Sequence, residues 1–149
     1  NEFGNTTSNN ITVKIEIYLI SYMFDMENSM ILPDDLASFR IELENFNESI
    51  FSPGYNVKVN ISLYREGGGF FSIIVPPIYY PLENATFTTG IYSGINFTVI
   101  DKILYSGEGL ILNGFVNCTT SDILIRFRWT LIVNDEVIYT SEENYIVVV

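Results

Sequence analysis

Apolar and polar residues alternate along most of this sequence. The alternation runs through residues 11–19, 55–63 and 123–133, and a shorter run covers 40–44. Successive side chains of a β-strand point to opposite faces of the sheet, so each run is typical of a strand with one buried face and one exposed face. The pattern therefore predicts a protein built from β-strands.

Turn-forming residues separate these runs. Clusters rich in Gly, Pro, Asp and Ser occur at residues 33–35, 52–54, 66–69, 76–77, 93–94 and 106–109. Further strands are predicted near 70–75, 85–92, 95–105, 109–118 and 143–149. The Asn134-Asp135 pair predicts a hairpin into a strand at 136–140, since both residues tolerate a left-handed backbone. The one stretch that could form a helical turn is 34–40, where Asp34 is a suitable N-cap residue.

These elements together predict an all-β fold. We expect a single antiparallel β-sandwich domain of Ig-like architecture that spans residues 1–149 and contains about eight to nine strands. The Cys…Trp…Cys spacing of an antibody domain is absent, because the chain has one cysteine, Cys118. Since Cys118 follows Val116 on an apolar alternation, we expect a buried, unreactive thiol.

The N-terminal region has two parts. Residues 1–10 form a polar leader, and residues 11–20 form a candidate donor strand, meaning a strand that could complete the sheet of a neighbouring copy. The apolar face of this strand consists of Ile11, Val13, Ile15, Ile17 and Leu19. The C-terminal run 145–149 is apolar on both faces, so it also needs a covering partner. Two arrangements remain open: strand exchange between copies, which would build a head-to-tail filament, or pairing of both strands within one sandwich.

The chain is strongly acidic, and this excludes several classes of partner. It has 18 Asp and Glu against 7 Lys and Arg, no His, and a formal net charge of −11. Binding to nucleic acid or to anionic lipid headgroups requires clustered basic residues, so neither partner is expected. No apolar stretch reaches the roughly 18–20 residues of a transmembrane helix, so no direct membrane span is expected.

The sequence contains no motif that indicates catalysis. Without His there is no His-activated nucleophile and no imidazole metal ligand. The glycine run at 67–69 precedes a predicted strand, not a helix, and lacks the Lys of a phosphate-binding loop. The acidic pairs at 25/27, 34/35 and 142/143 lack the spacing of a Ca²⁺ loop, so we interpret them as surface carboxylates. We therefore expect no enzyme activity, no cofactor and no metal site.

Asn-X-Ser/Thr triplets, the acceptor pattern for N-linked glycans, are the most informative motif. Chance would place about two of them in a chain with this many Asn, Ser and Thr residues. The sequence has seven, at Asn5, Asn10, Asn47, Asn60, Asn84, Asn96 and Asn117. Four of the seven asparagines, at positions 10, 60, 96 and 117, share the polar face of their predicted strands, where a glycan has room. The motif predicts covalent N-glycans on an extracellular or cell-surface protein whose signal peptide has been removed.

The sequence resembles surface proteins of thermoacidophilic archaea. The resemblance rests on the Asn-, Tyr- and Ile-rich, Lys-poor composition, the dense glycosylation triplets, and strands without a pilin-type helix. In particular, the chain looks like the subunits of the thin glycosylated filaments called threads. In that family an N-terminal tail inserts as a donor strand into the neighbouring head. A second similar group is the β-sandwich domain of archaeal flagellum accessory proteins that bind the S-layer, which carry a membrane helix that this sequence does not contain.

The sequence thus predicts a secreted, N-glycosylated structural subunit of an extracellular filament, a homopolymer formed head to tail by insertion of the N-terminal strand into the next subunit. The alternative is a cell-envelope or S-layer-binding β-sandwich domain of a surface appendage accessory protein. A third interpretation, a carbohydrate-binding sandwich, needs a row of exposed aromatic side chains, for which Tyr79, Tyr80 and Tyr92 are the candidates.

Overall fold

β-strands and the turns between them make up the described part of the chain. The computed structural model describes residues 17–27, 29–66, 71–74, 77–80, 90–92 and 94–149, and it describes side chains in all of these ranges except 71–74, 77–80 and 90–92. These residues contain twelve strands and no helix. The strands are β1 (Ile20–Met26), β2 (Met30–Ile31), β3 (Leu36–Asn45), β4 (Tyr55–Glu66), β5 (Phe71–Ile74), β6 (Pro77–Tyr80), β7 (Gly90–Tyr92), β8 (Gly94–Leu104), β9 (Gly109–Cys118), β10 (Ile123–Val133), β11 (Glu136–Thr140) and β12 (Asn144–Val148).

The strands form two sheets. The first has the order β1-β3-β9-β5-β7, and β6 pairs with β9 as well. The second has the order β2-β12-β10-β4-β8, and β11 pairs with β10. Neighbouring strands run antiparallel, except for the parallel pair of β2 and β12. The predicted all-β class is confirmed, and short strands such as β2, which give no sequence signal, raise the number of strands above the prediction.

Both sheets contribute to one hydrophobic core. Apolar residues at every second position of β3, β4, β9 and β10 are buried, as the alternation predicts. Phe127 in the second sheet lies against two rings of the first sheet, Phe24 at 5.3 Å and Phe39 at 4.8 Å between centroids. These contacts between the sheets are consistent with the predicted β-sandwich, in which two sheets bury their inner faces against each other.

The hairpin at Asn134-Asp135 is confirmed. These two residues connect β10 to β11 with φ angles of 49° and 65°, and the pairing of Val133 with Glu136 leaves only these two residues in the turn. Positive φ at both central residues is the signature of a type I′ turn, whose twist matches that of the flanking strands.

The helical turn predicted at residues 34–40 is wrong. Asp34 has a φ of 72°, which lies outside the helical region, and β3 begins at Leu36. Ala37 and Phe39 are buried while Ser38 and Arg40 face outward, so the period-two alternation extends back through this segment. Burial of that alternating face outweighs the weak local signal of an N-cap residue.

The C-terminal strand pairs with two strands of the same chain. β12 pairs with β10 on one side and with β2 on the other, and Ile146 and Val148 are buried. The sequence left open whether this strand pairs in its own sandwich or in a neighbour. In the structure it pairs in its own sheet, with the face of Ile146 and Val148 buried in the core and Tyr145 on the opposite face 45% exposed.

Gly114 provides a test of packing between β3 and β9. It lies directly opposite Phe39, and a Cβ atom at Gly114 would overlap the Phe39 ring. We predict that Gly114→Ala lowers the free energy of unfolding by about 1–3 kcal/mol, because the ring must leave its rotamer. Urea denaturation measures this. In a Phe39→Leu background the same substitution should cost less, and an equal cost in both backgrounds would contradict the packing explanation.

Candidate functional site

Two glycosylation triplets lie side by side on the outer face of the second sheet. Asn60 and Ser62 of β4 pair with Thr98 and Asn96 of β8, so the asparagine of each triplet is opposite the hydroxyl residue of the other. The Thr98 hydroxyl donates a hydrogen bond to the Asn60 side-chain oxygen at 2.7 Å. Between Asn60 and Ser62, Ile61 is fully buried, which confirms that the two polar residues face outward. Asn96 is exposed and Asn60 is half-buried.

Asn117 lies on the outer face of the first sheet. It is half-buried in β9 between Val116 and Cys118, whose side chains are both fully buried. The Asn117 side-chain amide donates a hydrogen bond to the backbone oxygen of Asp34 at 3.2 Å. The predicted orientation is therefore correct, but the amide nitrogen that would carry a glycan already has a partner in the neighbouring turn.

Asn47 is held inside a turn rather than presented to solvent. It is half-buried in the connection between β3 and β4. Its side-chain oxygen accepts a hydrogen bond from the backbone nitrogen of Ser49 at 3.0 Å, and its amide donates to the Tyr55 hydroxyl at 3.3 Å. Both ends of the side chain thus stabilise the turn.

The remaining predicted site residues fall partly outside the described residues. Asn5, Asn10 and Asn84 lie outside them, as do Ile11, Val13 and Ile15 of the predicted donor face. The last two donor-face residues are described: the side chain of Ile17 is 81% exposed and that of Leu19 is 38% exposed. Residues 17–19 are not in a strand, and pairing with the first sheet starts at Ile20.

Leu19 is the point where the N-terminal segment is tied to the rest of the chain. Its backbone nitrogen donates to the Tyr55 hydroxyl at 3.1 Å, and its carbonyl accepts from the backbone nitrogen of Phe46 at 3.0 Å. The Tyr18 ring meets the Tyr55 ring edge-on, with centroids 5.4 Å apart. Tyr55 therefore holds both the N-terminal segment and the Asn47 turn. The sequence alternation placed Tyr55 in a strand but gave no sign of this role.

Asn45 closes the same end of the fold. Its side chain is fully buried, its amide donates to the Leu104 carbonyl at 2.9 Å, and its oxygen accepts from the backbone nitrogen of Asn47 at 3.0 Å. The Asn45 backbone also bonds to Gly107 and Glu108 in the turn between β8 and β9. A buried amide with all of these partners fixes the positions of two loops relative to β3. Asn45 is not part of a triplet, so the glycosylation motif did not single it out.

The described residues contain no constellation with evident catalytic or metal-binding chemistry. No three His, Cys, Asp or Glu side chains within them converge as ligands. Two carboxylates of the acidic pairs have other roles: Glu143 forms an ion pair with the Arg128 guanidinium at 3.6 Å, and Asp34 belongs to a turn. Cys118 is buried as predicted, with its sulfur 3.3 Å from the Thr120 carbonyl oxygen.

A surface hollow of about 500 Å³ is lined partly by aromatic side chains, Tyr22, Phe24, Trp129 and Tyr139, whose rings pack on one another.

Within the described residues, no helix is long and apolar enough to cross a bilayer. The aromatic candidates for carbohydrate binding, Tyr79, Tyr80 and Tyr92, lie where side chains are not described, so that interpretation stays a prediction.

Comparison with known proteins shows no family for this chain. No protein-family model and no curated protein matches the sequence. The sporulation control protein Spo0M of Bacillus subtilis aligns with 89% of this chain at 12% identity and a TM-score of 0.43, and the chain spans 50% of the length of Spo0M. AvmM, which catalyzes macrocyclization in alchivemycin A biosynthesis, aligns with 78% of this chain and 75% of its own length at 9% identity and a TM-score of 0.42. Neither similarity is close enough to carry an argument about function.

The environments of the asparagines predict different glycan occupancies. Where the triplets carry glycans, we expect higher occupancy at the exposed Asn96 than at Asn47, because the Asn47 amide is half-buried and bonded to Tyr55. Peptide mass spectrometry after enzymatic deglycosylation in heavy-oxygen water measures both sites. Asn113, which faces outward but is not part of a triplet, is the control that should stay bare. Full occupancy at Asn47 with a bare Asn96 would contradict this prediction.

The hydrogen bond between the Leu19 backbone and the Tyr55 hydroxyl, which we call the anchor at Leu19, can be tested by substitution of Tyr55. Tyr55→Phe removes the hydroxyl that accepts hydrogen bonds from the Leu19 backbone and the Asn47 amide. We expect the free energy of unfolding to fall by about 1–2 kcal/mol, and the Leu19 amide hydrogen to exchange faster. Urea denaturation and amide hydrogen exchange measure the two effects. Tyr105→Phe, at an exposed tyrosine of the same end, should change stability by less than about 0.5 kcal/mol. Unchanged exchange at Leu19 would show that Tyr55 is not the anchor.

Proposed function

We propose that this chain is a secreted, N-glycosylated structural subunit of an extracellular filament, in which the N-terminal strand of one copy completes a sheet of the next. The observation that carries the proposal is the environment of Ile17, an isoleucine with 81% of its side chain exposed at the start of the described residues. In the sequence, the alternating apolar residues Ile11, Val13 and Ile15 precede Ile17. An apolar strand face of this kind needs a hydrophobic partner, and a neighbouring sheet provides one.

The anchor at Leu19 defines which residues could act as the donor. From Ile20 onward the chain pairs with β3, and the Leu19 backbone is bonded to Phe46 and Tyr55 of its own copy. The donor face then reduces to Ile11, Val13, Ile15 and Ile17. Leu19 becomes the hinge at which the chain leaves its own sheet.

The open sheet edges offer acceptors for such a strand. The two long edge strands among those described are β1, which pairs with β3, and β8, which pairs with β4; the other sheet ends, β2 and β7, have two and three residues. Asn96 on β8 and Asn60 on β4 would place glycans beside the β8 edge, whereas β1 contains no triplet. An unpaired edge without sugars is the better template for an added strand. We therefore favour β1 as the acceptor edge.

The alternative function is a monomeric or dimeric domain that binds the cell envelope or an S-layer and anchors a surface appendage. The pairing of β12 with both β10 and β2 favours it, since this strand already has a partner on each edge in a single copy. The mass of the purified protein by light scattering separates the two functions. A monomer or dimer at every concentration supports the alternative, and growth to large polymers supports the filament.

A paired substitution tests the donor strand. Ile15→Asp places a charge on the apolar face of the donor, so we expect it to abolish filaments in negatively stained samples while the domain stays folded and soluble. Lys14→Asp places the same side chain one residue away, on the opposite face, and should leave assembly intact. Filaments from Ile15→Asp that match those of wild type would refute the donor assignment.

A further inference from the structure

A hollow opens on the side of the molecule where the second sheet is interrupted. β4 pairs along one edge of β10, so β11 and β12 share the other edge, and residues 141–143 leave the sheet between them. Trp129 of β10 lies level with this interruption, because its backbone nitrogen donates to the Ser141 hydroxyl and its backbone oxygen accepts from the Ser141 nitrogen, both at 2.9 Å. The edge strand β1 of the first sheet provides the other wall of the hollow.

Four aromatic rings form the apolar part of this hollow, which we call the aromatic hollow. They belong to Tyr22 and Phe24 of β1, Trp129 of β10 and Tyr139 of β11. The Tyr22 ring centroid lies 4.5 Å from that of Tyr139 and 6.1 Å from that of Trp129, so the rings form one contiguous surface. The hollow measures about 500 Å³, which falls within the roughly 300–1,000 Å³ of small-molecule sites.

Polar residues line the aromatic hollow beside the rings. Thr140, Glu142 and Asn144 are among them. Within the part of the chain that the structure describes, the Glu142 carboxylate and the Thr140 hydroxyl have no hydrogen-bond or ion-pair partner. The Asn144 amide nitrogen donates to the Glu142 carbonyl at 3.2 Å, which leaves the Asn144 side-chain oxygen as an acceptor. The hollow therefore combines ring faces with polar groups that are available to a ligand.

Trp129 adds a hydrogen-bond donor that lacks an acceptor. Its indole Nε1 is buried and has no hydrogen-bond partner among the described residues. Buried polar groups are almost always paired, and an unpaired one costs free energy, so this N–H favours a ligand that brings an acceptor. Because Nε1 is buried, a ligand reaches it only if a ring moves aside. Tyr22, at 41% exposure the most exposed of the four rings, has the most freedom to do so.

We propose that the aromatic hollow binds a neutral saccharide. The C–H groups of a sugar ring carry partial positive charge and pack against the negative faces of aromatic rings. Sugar hydroxyls both donate and accept hydrogen bonds, so one can donate to the Glu142 carboxylate while another accepts from the Trp129 indole. This inference does not depend on the proposed filament.

Other small ligands fit the lining less well. Among the described residues that line the hollow, Glu142 is charged and there is no Lys or Arg, so an acidic saccharide or a phosphate would be repelled. An organic cation would be attracted by the ring faces and by Glu142. It carries no acceptor for the indole N–H, however, and would leave Trp129 unpaired.

Trp129 is the single tryptophan of the sequence, so its fluorescence reports on the hollow. We expect a saturable change in the emission of the full chain on titration with at least one member of a panel of glucose, galactose, mannose, N-acetylglucosamine, cellobiose and chitobiose. Glycans released from natively produced protein form a second set of titrants, and a response to these alone would assign the saccharide to another copy of this chain. No response to either set would overturn the inference. A response to choline without one to any saccharide would also overturn it, in favour of a cation site.

Two substitutions test whether the sugar occupies this hollow. Tyr22→Ala removes a ring face, and we expect the affinity to fall about tenfold. Glu142→Ala removes a charged acceptor and should also weaken binding about tenfold, while the exposed, unpaired side chain makes a wild-type unfolding midpoint the expected result. The control is Tyr64→Ala, at a tyrosine 55% exposed on the outer face of β4, which should bind as wild type does. Wild-type affinity in both Tyr22→Ala and Glu142→Ala would show that the sugar binds elsewhere and that the inference is wrong.

Discussion

The structure depends on the burial of one face of each sheet in a shared hydrophobic core. Phe127 and Trp129 of the second sheet lie against aromatic rings of β1 and β3 in the first sheet. Burying the opposite face of either sheet would therefore expose large aromatic side chains. Because side chains alternate along a strand, this burial also decides what faces outward. Asn60, Asn96 and Asn117 occupy outward positions for the same physical reason that their neighbours are buried.

The same constraint makes one end of the molecule different from the rest. Where the sheets end, buried backbone groups need partners that no ladder provides, and Asn45 and Tyr55 supply them. These two side chains hold the N-terminal segment and two loops in place, and the loops expose Ile50 and Phe51. Hydrogen bonds thus hold these unburied apolar residues at the same end of the fold as Leu19. This combination connects the fold to the proposed head-to-tail assembly.

Much of the fold could be predicted from the sequence, because alternation is a local signal. The bounds predicted for β9 and β10 agree with the structure, and so does the turn at Asn134-Asp135. Pairing between distant strands has no such signal, so the meeting of the Asn60 and Asn96 triplets could not be predicted. The roles of Asn45 and Tyr55 were missed for the same reason, since their partners are distant or lie in irregular loops. The helical turn predicted at residues 34–40 was wrong because it relied on Asp34 as a helix N-cap residue, and burial of Phe39 in a strand outweighs that local preference.

The central claim is that the N-terminal strand leaves its own copy and completes a sheet of the next. The most direct measurement is a cryo-electron microscopy reconstruction of the material that wild type forms at high concentration, at a resolution that traces the backbone. Donor-strand insertion predicts continuous density from Leu19 through residues 11–17 into a neighbouring copy, paired along an open sheet edge. Density in which residues 11–17 return to the sheet of their own copy, or particles that contain only isolated domains, would contradict it.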